Sequence, residues 1–303
     1  MASLYIFELA GFLVGLLFGS FLNVCISRVP EGLSVVSPRS RCPQCGAGIR
    51  WFDNLPLVSW VLLRARCRDC GKAIPWRYPA VELAVGVWFA VVVRQLAVAA
   101  VTTPGEYIDV IGFAVLGFLL IGLIVIDWQT LRLPDEFTLL GVAMGLFLVC
   151  SQAIFLGPGE DQIVLNTSHQ LRLSSPGSFA ARGNVFLTGP EALIFGRIAA
   201  VVGAALLLLM VRWIYRALRK QDGLGLGDVK MLAMIAAFLG FWPTMVALFV
   251  GVLCAALYGT VLMLRGRAHG LTKLPLGSFL GIGGLVAALW GDRVVEWYRG
   301  LLG

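Results

Sequence analysis

Two aspartates stand at the boundaries between long apolar runs and polar segments. Asp127 closes the apolar stretch that begins near residue 107, and Asp228 precedes the charge-free stretch 231–264. An ionisable side chain at a membrane boundary is costly and is therefore a candidate for function. Two neighbouring carboxylates cannot both be charged at low cost, so one keeps a proton while the other is ionised. Such a pair can activate a water molecule and protonate a leaving group, which is aspartic protease chemistry.

The same aspartates also have a plainer interpretation as markers of helix ends. Asp228 can cap a helix N-terminus through its carboxylate. Asp135 competes with Asp127 for the place of the first carboxylate, since it lies only eight residues further on. However, the pair Pro134-Asp135 is more typical of the start of a helix. The residues alone leave these alternatives open.

Three residues around Asp228 are predicted to support an active site. Gly225 and Gly227 lack side chains, so the backbone can approach the reacting groups closely. Lys230 follows Asp228 by two positions and is included as a supporting residue, although a lysine at such a boundary is more often solvated or interfacial.

Four cysteines form a second chemical motif, because they occur as two CxxC pairs that are separated by 21 residues. The four are Cys42, Cys45, Cys67 and Cys70. Each CxxC turn can direct two thiolates at one tetrahedral ion, and two turns close a structural zinc site. Gly46 and Gly71 follow the pairs and suit the chain reversal of a zinc knuckle. The alternative is two disulfides or a redox pair, which a cytoplasmic location disfavours.

The elements that must position these residues are membrane helices. The chain has 303 residues, of which 59% are hydrophobic and 14% charged, whereas soluble domains carry about 25% charged residues. We therefore predict an all-α polytopic membrane protein with about eight transmembrane helices and a small four-cysteine module. Predicted spans cover about 4–26, 79–101, 107–126, 137–156, 192–214 and 274–291. Segment 228–264 completes the eight, either as two helices with a break at Trp242-Pro243 or with a re-entrant hairpin.

Charge distribution predicts the topology and the domain organisation. The net charge is +7, but the basic residues flank apolar runs, which indicates membrane orientation rather than nucleic-acid binding. Segment 27–78 contains nine Lys or Arg and three acidic residues, so it is predicted to be cytoplasmic. The predicted units are the first helix at 1–26, the zinc module at 27–78, helices two to four at 79–156, an external insertion at 157–190, and the remaining helices at 191–303.

Several motifs in order along the chain resemble the type IV prepilin peptidase family of leader peptidases and N-methyltransferases. Besides the cysteine pairs, they are Gly19-Ser-Phe-Leu-Asn-Val24, Arg28-Val-Pro30, Asp53-Asn-Leu-Pro56, Arg77-Tyr-Pro-Ala-Val-Glu82, Ile126-Asp127, Leu133-Pro-Asp135, Gly225-Leu-Gly-Asp-Val-Lys230 and Pro275-Leu-Gly-Ser-Phe-Leu280. Motifs that recur in the same order are far more specific than any one of them. Arg77 and Glu82 could pair at the start of the second span or occupy the interface separately.

The resemblance implies a function. It implies that Asp127 and Asp228 are the catalytic aspartates of a GxGD-class membrane protease. The substrates would be prepilins and pseudopilins of type IV pili or type II secretion, which are cut after a glycine. S-adenosylmethionine would then donate a methyl group to the new N-terminus. The location would be the bacterial inner membrane, with lipid around the helices and the active site on the cytoplasmic side.

The chain departs from the family pattern at Ala65, where the family often has a glycine that is tied to methyl transfer. No S-adenosylmethionine loop is recognisable, so the methyl-donor site is not predicted, and neither is the oligomeric state. Two alternatives stay open: a peptidase without methyltransferase activity, and a membrane transporter with a zinc module. Aspartates also serve proton relays, although a transporter would more naturally show repeats and carboxylates near the bilayer midplane.

Overall fold

The structure, a computed structural model, describes residues 2–98, 104–155, 190–220, 224–266 and 274–302. Within these ranges the fold is helical, apart from two isolated β-bridges in the four-cysteine module. The helices are α1 (Ala2–Arg28), α2 (Val58–Leu62), α3 (Arg77–Val98), α4 (Pro104–Thr130), α5 (Asp135–Phe155), α6 (Pro190–Arg219), α7 (Leu226–Leu239), α8 (Phe241–Leu264) and α9 (Leu276–Leu302). Almost all of the predicted external insertion lies outside the described residues.

Among the described residues, six helices are long and apolar enough to cross a membrane: α1, α4, α5, α6, α8 and α9. The predicted all-α membrane fold is therefore confirmed, whereas the predicted count of eight spans is not. The two remaining long helices are α3 and α7. Helix α7 has 14 residues and so extends about 21 Å, which is short of a hydrocarbon core of about 30 Å.

Several helix boundaries differ from the prediction. Helix α1 continues to Arg28 rather than residue 26, and α4 continues to Thr130, so Asp127 lies inside its last turn rather than at its end. Helix α9 continues to Leu302 instead of ending near 291. The break within 228–264 falls at Gly240, whose φ of 80° favours glycine, and Pro243 lies within the first turn of α8, where proline is tolerated.

Helices α1 and α3 pack closely because small residues line their contact. Gly11, Gly15 and Gly19 recur every four residues on α1 and therefore share one face. A Cβ atom on Gly15 would lie 2.7 Å from the carbonyl oxygen of Val85, and one on Gly19 would lie 2.6 Å from the Cα of Glu82. Close packing through small residues is typical of membrane helices, and here it places Glu82 directly against α1.

Helix α7 lies at the centre of the C-terminal bundle, where it packs against α4, α5, α6, α8 and α9. Its side chains from Met231 to Ala237 are almost all inaccessible. The C-terminal end of such a short helix leaves carbonyl groups inside the bundle, where each needs a donor. Arg197 of α6 supplies one, since its Nη1 donates to the carbonyl oxygen of Phe238 at 2.6 Å. A half-length helix is thereby accommodated, and its N-terminus carries Asp228.

Candidate active site

Asp127 is buried in the last turn of α4, and its side chain is held by α9. The residue is only 5% exposed. Its Oδ2 accepts a hydrogen bond from the backbone N–H of Ser278 at 2.7 Å and lies 3.1 Å from the Ser278 hydroxyl. Ser278 is the third residue of α9, where backbone N–H groups have no partner within the helix. The carboxylate of Asp127 therefore satisfies the free end of another helix.

Asp228 occupies the corresponding place on α7. It lies in the first turn of that helix, and its Oδ2 accepts a hydrogen bond from the N–H of Gly225 at 3.2 Å, so it caps its own helix as predicted. Asp228 is less buried than Asp127. The structure brings the two carboxylates near each other, because Leu133 contacts both Gly227, next to Asp228, and Gly277, which lies against Oδ2 of Asp127.

Two helix N-termini converge on the two carboxylates. Asp127 faces the N-terminus of α9, and Asp228 lies at the N-terminus of α7. A helix N-terminus carries a partial positive charge that stabilises a nearby anion. Because both helix dipoles point at the same place, they offset part of the repulsion between the carboxylates. The single negative charge of the pair is thus stabilised without a lysine or arginine bound to either carboxylate among the described residues.

Leu133 fixes the spacing of the three helix ends. A Cβ atom on Gly227 would lie 2.9 Å from the Cβ of Leu133, and one on Gly277 would lie 2.8 Å from its Cδ1 and 3.0 Å from Oδ2 of Asp127. A larger residue at either glycine would push α7 or α9 away from the carboxylates. At Gly227 the backbone therefore approaches the side chain of Leu133 closely. The role of Gly225 differs, because its N–H binds Asp228.

Ser278 is a site residue that inspection of individual residues did not single out. Its hydroxyl carries one proton and has two acceptors within reach, the carbonyl oxygen of Ile124 at 2.9 Å and Oδ2 of Asp127 at 3.1 Å. The hydroxyl can therefore donate to an ionised Asp127 or turn toward Ile124 when Asp127 holds a proton. The available signal was the motif that runs from Pro275 to Leu280.

Asp135, the competitor of Asp127, forms an ion pair with a lysine. It is the first residue of α5, as its position after Pro134 predicted. Its side chain is 56% exposed, and its Oδ1 lies 2.6 Å from Nζ of Lys230. Lys230 thus binds Asp135 rather than a carboxylate of the pair. Its support of the site is indirect, through the connection between α5 and α7.

The four cysteines form one cluster. Their sulfur atoms all lie within 4.8 Å of one another, and Sγ of Cys42 is 3.9 Å from Sγ of Cys70. Four sulfurs that surround a tetrahedral ion at about 2.3 Å are separated by about 3.8 Å. All seven cysteines of the chain are free. The arrangement fits a four-thiolate metal site, and the four cysteines form no disulfide with one another.

The two CxxC turns repeat the same backbone geometry. In each turn a glycine after the second cysteine has a positive φ, 74° at Gly46 and 68° at Gly71. Gly46 N–H donates to the carbonyl oxygen of Cys42, and Gly71 N–H donates to that of Cys67, both at 2.9 Å. Backbone N–H groups of Cys45 and Gln44 lower the pKa of the Cys42 thiol to about 7, which favours the thiolate that a metal requires.

The backbone at Ala65 adopts a conformation that favours the glycine often found there in the family. Ala65 has a φ of 56° and follows Arg64 at 51°, so both adopt the left-handed conformation that glycine adopts most easily. The N–H of Ala65 donates to the carbonyl oxygen of Trp60 at 2.8 Å, and its carbonyl oxygen accepts from Ile74 at 2.7 Å. A glycine at this position would relieve strain in the turn before the second cysteine pair.

Arg77 and Glu82 do not pair with each other, which settles that alternative. Nη1 of Arg77 donates to Oε1 of Gln129 at 2.6 Å, and Oε2 of Glu82 accepts from the N–H of Leu57 at 2.9 Å. Gln129 lies two residues after Asp127. Arg77 therefore connects the start of α3, and the module before it, to the helix end that carries the first aspartate.

Comparisons with known proteins identify the family of the chain. The family model for the bacterial peptidase A24 N-terminal domain matches residues 13–96, and that for the type IV leader peptidase family matches residues 177–260. The prepilin leader peptidase/N-methyltransferase of Aeromonas hydrophila is 31% identical over 314 residues, which cover 95% of this chain and 92% of that protein. The chain belongs to the type IV leader peptidase family. It is accordingly an integral membrane protein, and the predicted resemblance is confirmed.

Further members of the leader peptidase family show the same extent of similarity. The proteins of the same description from Stutzerimonas stutzeri and Pseudomonas aeruginosa are 30% and 29% identical, and each alignment covers 96% of this chain and 93% of the relative. No solved structure matches the chain. Asp228 lies within a matched range of the leader peptidase family, whereas Asp127 lies between the two ranges. The choice of Asp127 as its partner therefore depends on the geometry described above.

Proposed function

We propose that this chain removes the leader peptides of type IV prepilins and related pseudopilins, cutting after a glycine, and then methylates the new N-terminus. The single observation that carries the peptidase assignment is the meeting of Asp127 and Asp228 where α4 ends and where α7 and α9 begin. Family membership supports the substrate class, since the relatives are named prepilin leader peptidase/N-methyltransferases.

The carboxylate pair performs the cleavage. Repulsion between Asp127 and Asp228 leaves one proton shared by the pair. The ionised carboxylate takes a proton from a water molecule, whose oxygen attacks the peptide carbonyl, and the protonated carboxyl donates to the amide nitrogen that leaves. The Ser278 N–H keeps Asp127 oriented through both stages. The products are a leader that ends in a new carboxylate and a pilin that begins with a free amine.

The proposed location of this chemistry is the cytoplasmic face of the inner membrane. Segment 27–78 and both aspartates share one end of the helices, since Arg77 binds Gln129 beside Asp127. The excess of Lys and Arg in that segment favours the cytoplasmic side. A prepilin carries its own apolar helix behind the leader, so its scissile bond would reach the same depth as the pair.

Zn²⁺ is the metal that the four-cysteine cluster fits best. Cys42, Cys45, Cys67 and Cys70 would hold it, and four thiolates leave no open coordination position, so its contribution is structural. S-adenosylmethionine is the proposed source of the methyl group. Metal binding and folding of the module are expected to be coupled, because a segment of this size has little core of its own.

The test is co-expression with a prepilin, followed by mass spectrometry of its N-terminus. The intact chain should yield a shortened and methylated pilin. Asp127→Asn and Asp228→Asn should each leave the leader uncut while retaining bound zinc, because neither carboxylate lies in the cysteine cluster. Glu296→Gln is the matched control and should cleave normally, since Glu296 is exposed near the other end of α9.

Each other outcome of that experiment has a definite meaning. Full cleavage by Asp127→Asn or Asp228→Asn would refute the proposed dyad. A pilin that the intact chain cuts but does not methylate would assign a peptidase alone. An uncut pilin in the presence of the intact, zinc-loaded chain would remove the proposed substrate class.

A further inference from the structure

A cavity of about 360 Å³ lies between the end of α1, the start of α3 and the four-cysteine module. Its wall includes Asn23, Trp60, Tyr78 and Glu82, together with the thiols of Cys42 and Cys67. Small-molecule sites in proteins have volumes of about 300–1,000 Å³. The carboxylate pair that carries the proposed cleavage is not part of this wall, so the cavity has no role in the cleavage step.

Asn23 contributes an unsatisfied acceptor to this cavity. The residue is 4% exposed, and its Nδ2 donates to the carbonyl oxygen of Tyr78 at 3.0 Å. That hydrogen bond fixes the orientation of the amide and leaves Oδ1 buried without a donor. Buried acceptors in folded proteins almost always have a partner. A ligand that presents an N–H group to this wall would supply the missing donor.

Glu82 contributes a carboxylate without a counter-ion. The residue is 9% exposed, and Oε2 accepts the N–H of Leu57 at 2.9 Å. The side chain of Ser20 on α1, a neutral group, also hydrogen-bonds to the Glu82 carboxylate. In the part of the chain that the structure describes, no lysine or arginine forms an ion pair with Glu82. A buried carboxylate is costly unless it is paired, so this wall favours a cationic ligand.

We propose that this cavity is the methyl-donor site and binds S-adenosylmethionine, with Glu82 as the partner of its cationic end. The inference rests on the proposed methyl transfer. S-adenosylmethionine carries a sulfonium and an ammonium group, which match Glu82, and its adenine amine is a donor of the kind that Asn23 lacks. Trp60 and Tyr78 provide aromatic surface for the base. Arg41 and Lys72 on the module side of the same cavity match the ligand carboxylate.

The location suits a reaction that follows cleavage. Arg77 at the start of α3 binds Gln129 beside Asp127. The cavity and the carboxylate pair therefore lie at the same end of the helices. The freshly released amine therefore stays on one side of the membrane. Methyl transfer forms a bond from the amine nitrogen to the methyl carbon and breaks the bond from that carbon to sulfur. It leaves a neutral thioether and releases one amine proton to water.

The experiment measures binding of tritium-labelled S-adenosylmethionine to the purified full-length chain in detergent, with zinc bound. Wild type should bind saturably, and Glu82→Gln should weaken the affinity at least tenfold. Glu31→Gln is the matched control, because Glu31 is exposed on the same module and outside the cavity wall, and it should bind like wild type. Zinc content and elution from a sizing column show whether each variant is folded. Wild-type affinity in a folded Glu82→Gln variant would overturn the proposal.

A second measurement needs no substitution. Ultraviolet cross-linking of the labelled ligand to the wild-type chain, followed by peptide mapping, should place the label within 20–28, 40–49, 53–60, 67–75 or 78–82. Label confined to peptides around Asp127 or Asp228 would overturn the proposal. Leader cleavage is assayed in the same preparation. Cleavage without any binding would refute this inference alone, whereas absence of cleavage would refute the proposed function as well.

Discussion

The carboxylate pair and the cavity beside the four-cysteine module share one face of the molecule but are built in different ways. Asp127, Asp228 and Ser278 are held by the ends of three helices that pack within the bundle. The cavity has one wall of helix and one wall of a small module whose own core is minor. The first site should therefore persist whenever the helices pack, whereas the second should depend on the metal that we propose orders the module.

Removing zinc should separate the two sites most strongly. Because Cys42 and Cys67 form part of the cavity wall, loss of the ion should disorder that wall. We expect chelation to lower methyl transfer by about 100-fold, which corresponds to losing interactions of a few kcal/mol, while leader cleavage stays within a few-fold. The measurement is the ratio of methylated to unmethylated cleaved pilin before and after chelation. An equal loss of both activities would show that the two sites are not independent, and addition of Zn²⁺ should restore methylation.

Within the carboxylate pair, the hydroxyl of Ser278 should have the next largest effect. Ser278→Ala keeps the backbone N–H that binds Asp127. It removes the hydroxyl, which can donate to Asp127 when that residue is ionised and turn away when it is protonated. We expect kcat of cleavage to fall about tenfold, below the effect of losing a whole catalytic donor, with KM unchanged. Ser278→Thr retains a hydroxyl and should recover part of the rate. A changed KM with unchanged kcat would instead assign Ser278 to substrate binding, and methylation of supplied cleaved pilin should be unaffected.

The connection between the two sites can be broken at Arg77. Arg77→Met keeps most of the side-chain length and loses the hydrogen bond to Gln129. A hydrogen bond to a charged group contributes about 1.5 to 3 kcal/mol net, and this one contributes less because it is exposed to solvent. We expect cleavage to stay within about twofold and unmethylated cleaved pilin to accumulate a few-fold at early times. Arg39→Met, which alters an exposed module residue outside the cavity wall, is the control. Unchanged methylation in Arg77→Met would mean that this connection is only structural.

The two sites also differ in how far sequence alone predicted them. The cysteine pairs and the two aspartates have local signatures, because residue type and spacing carry their chemistry. The roles of Ser278, Asn23 and Glu82 depend on contacts with residues far along the chain, 151 positions in the case of Ser278 and Asp127. The break at Gly240 was predicted to within three residues, but its cause was not, since the capping donor comes from Arg197 on another helix. Only packing reveals these roles.

The smallest predicted effect concerns the departure at Ala65, and it bears on the module alone. Since Ala65 has a φ of 56°, Ala65→Gly should relieve left-handed strain of about 1 to 2 kcal/mol while raising the entropy of the unfolded chain. The net result should be a stabilisation of about 0.5 to 1 kcal/mol, measured as a higher denaturant concentration for zinc release. Ala73→Gly, at a position without a positive φ, should give no stabilisation. Leader cleavage should not change in either variant, because the carboxylate pair does not depend on this turn. Ala65→Gly could instead raise methyl transfer without stabilising the zinc-bound module. In that case the glycine found at this position in the family would act in methyl transfer rather than by relieving backbone strain.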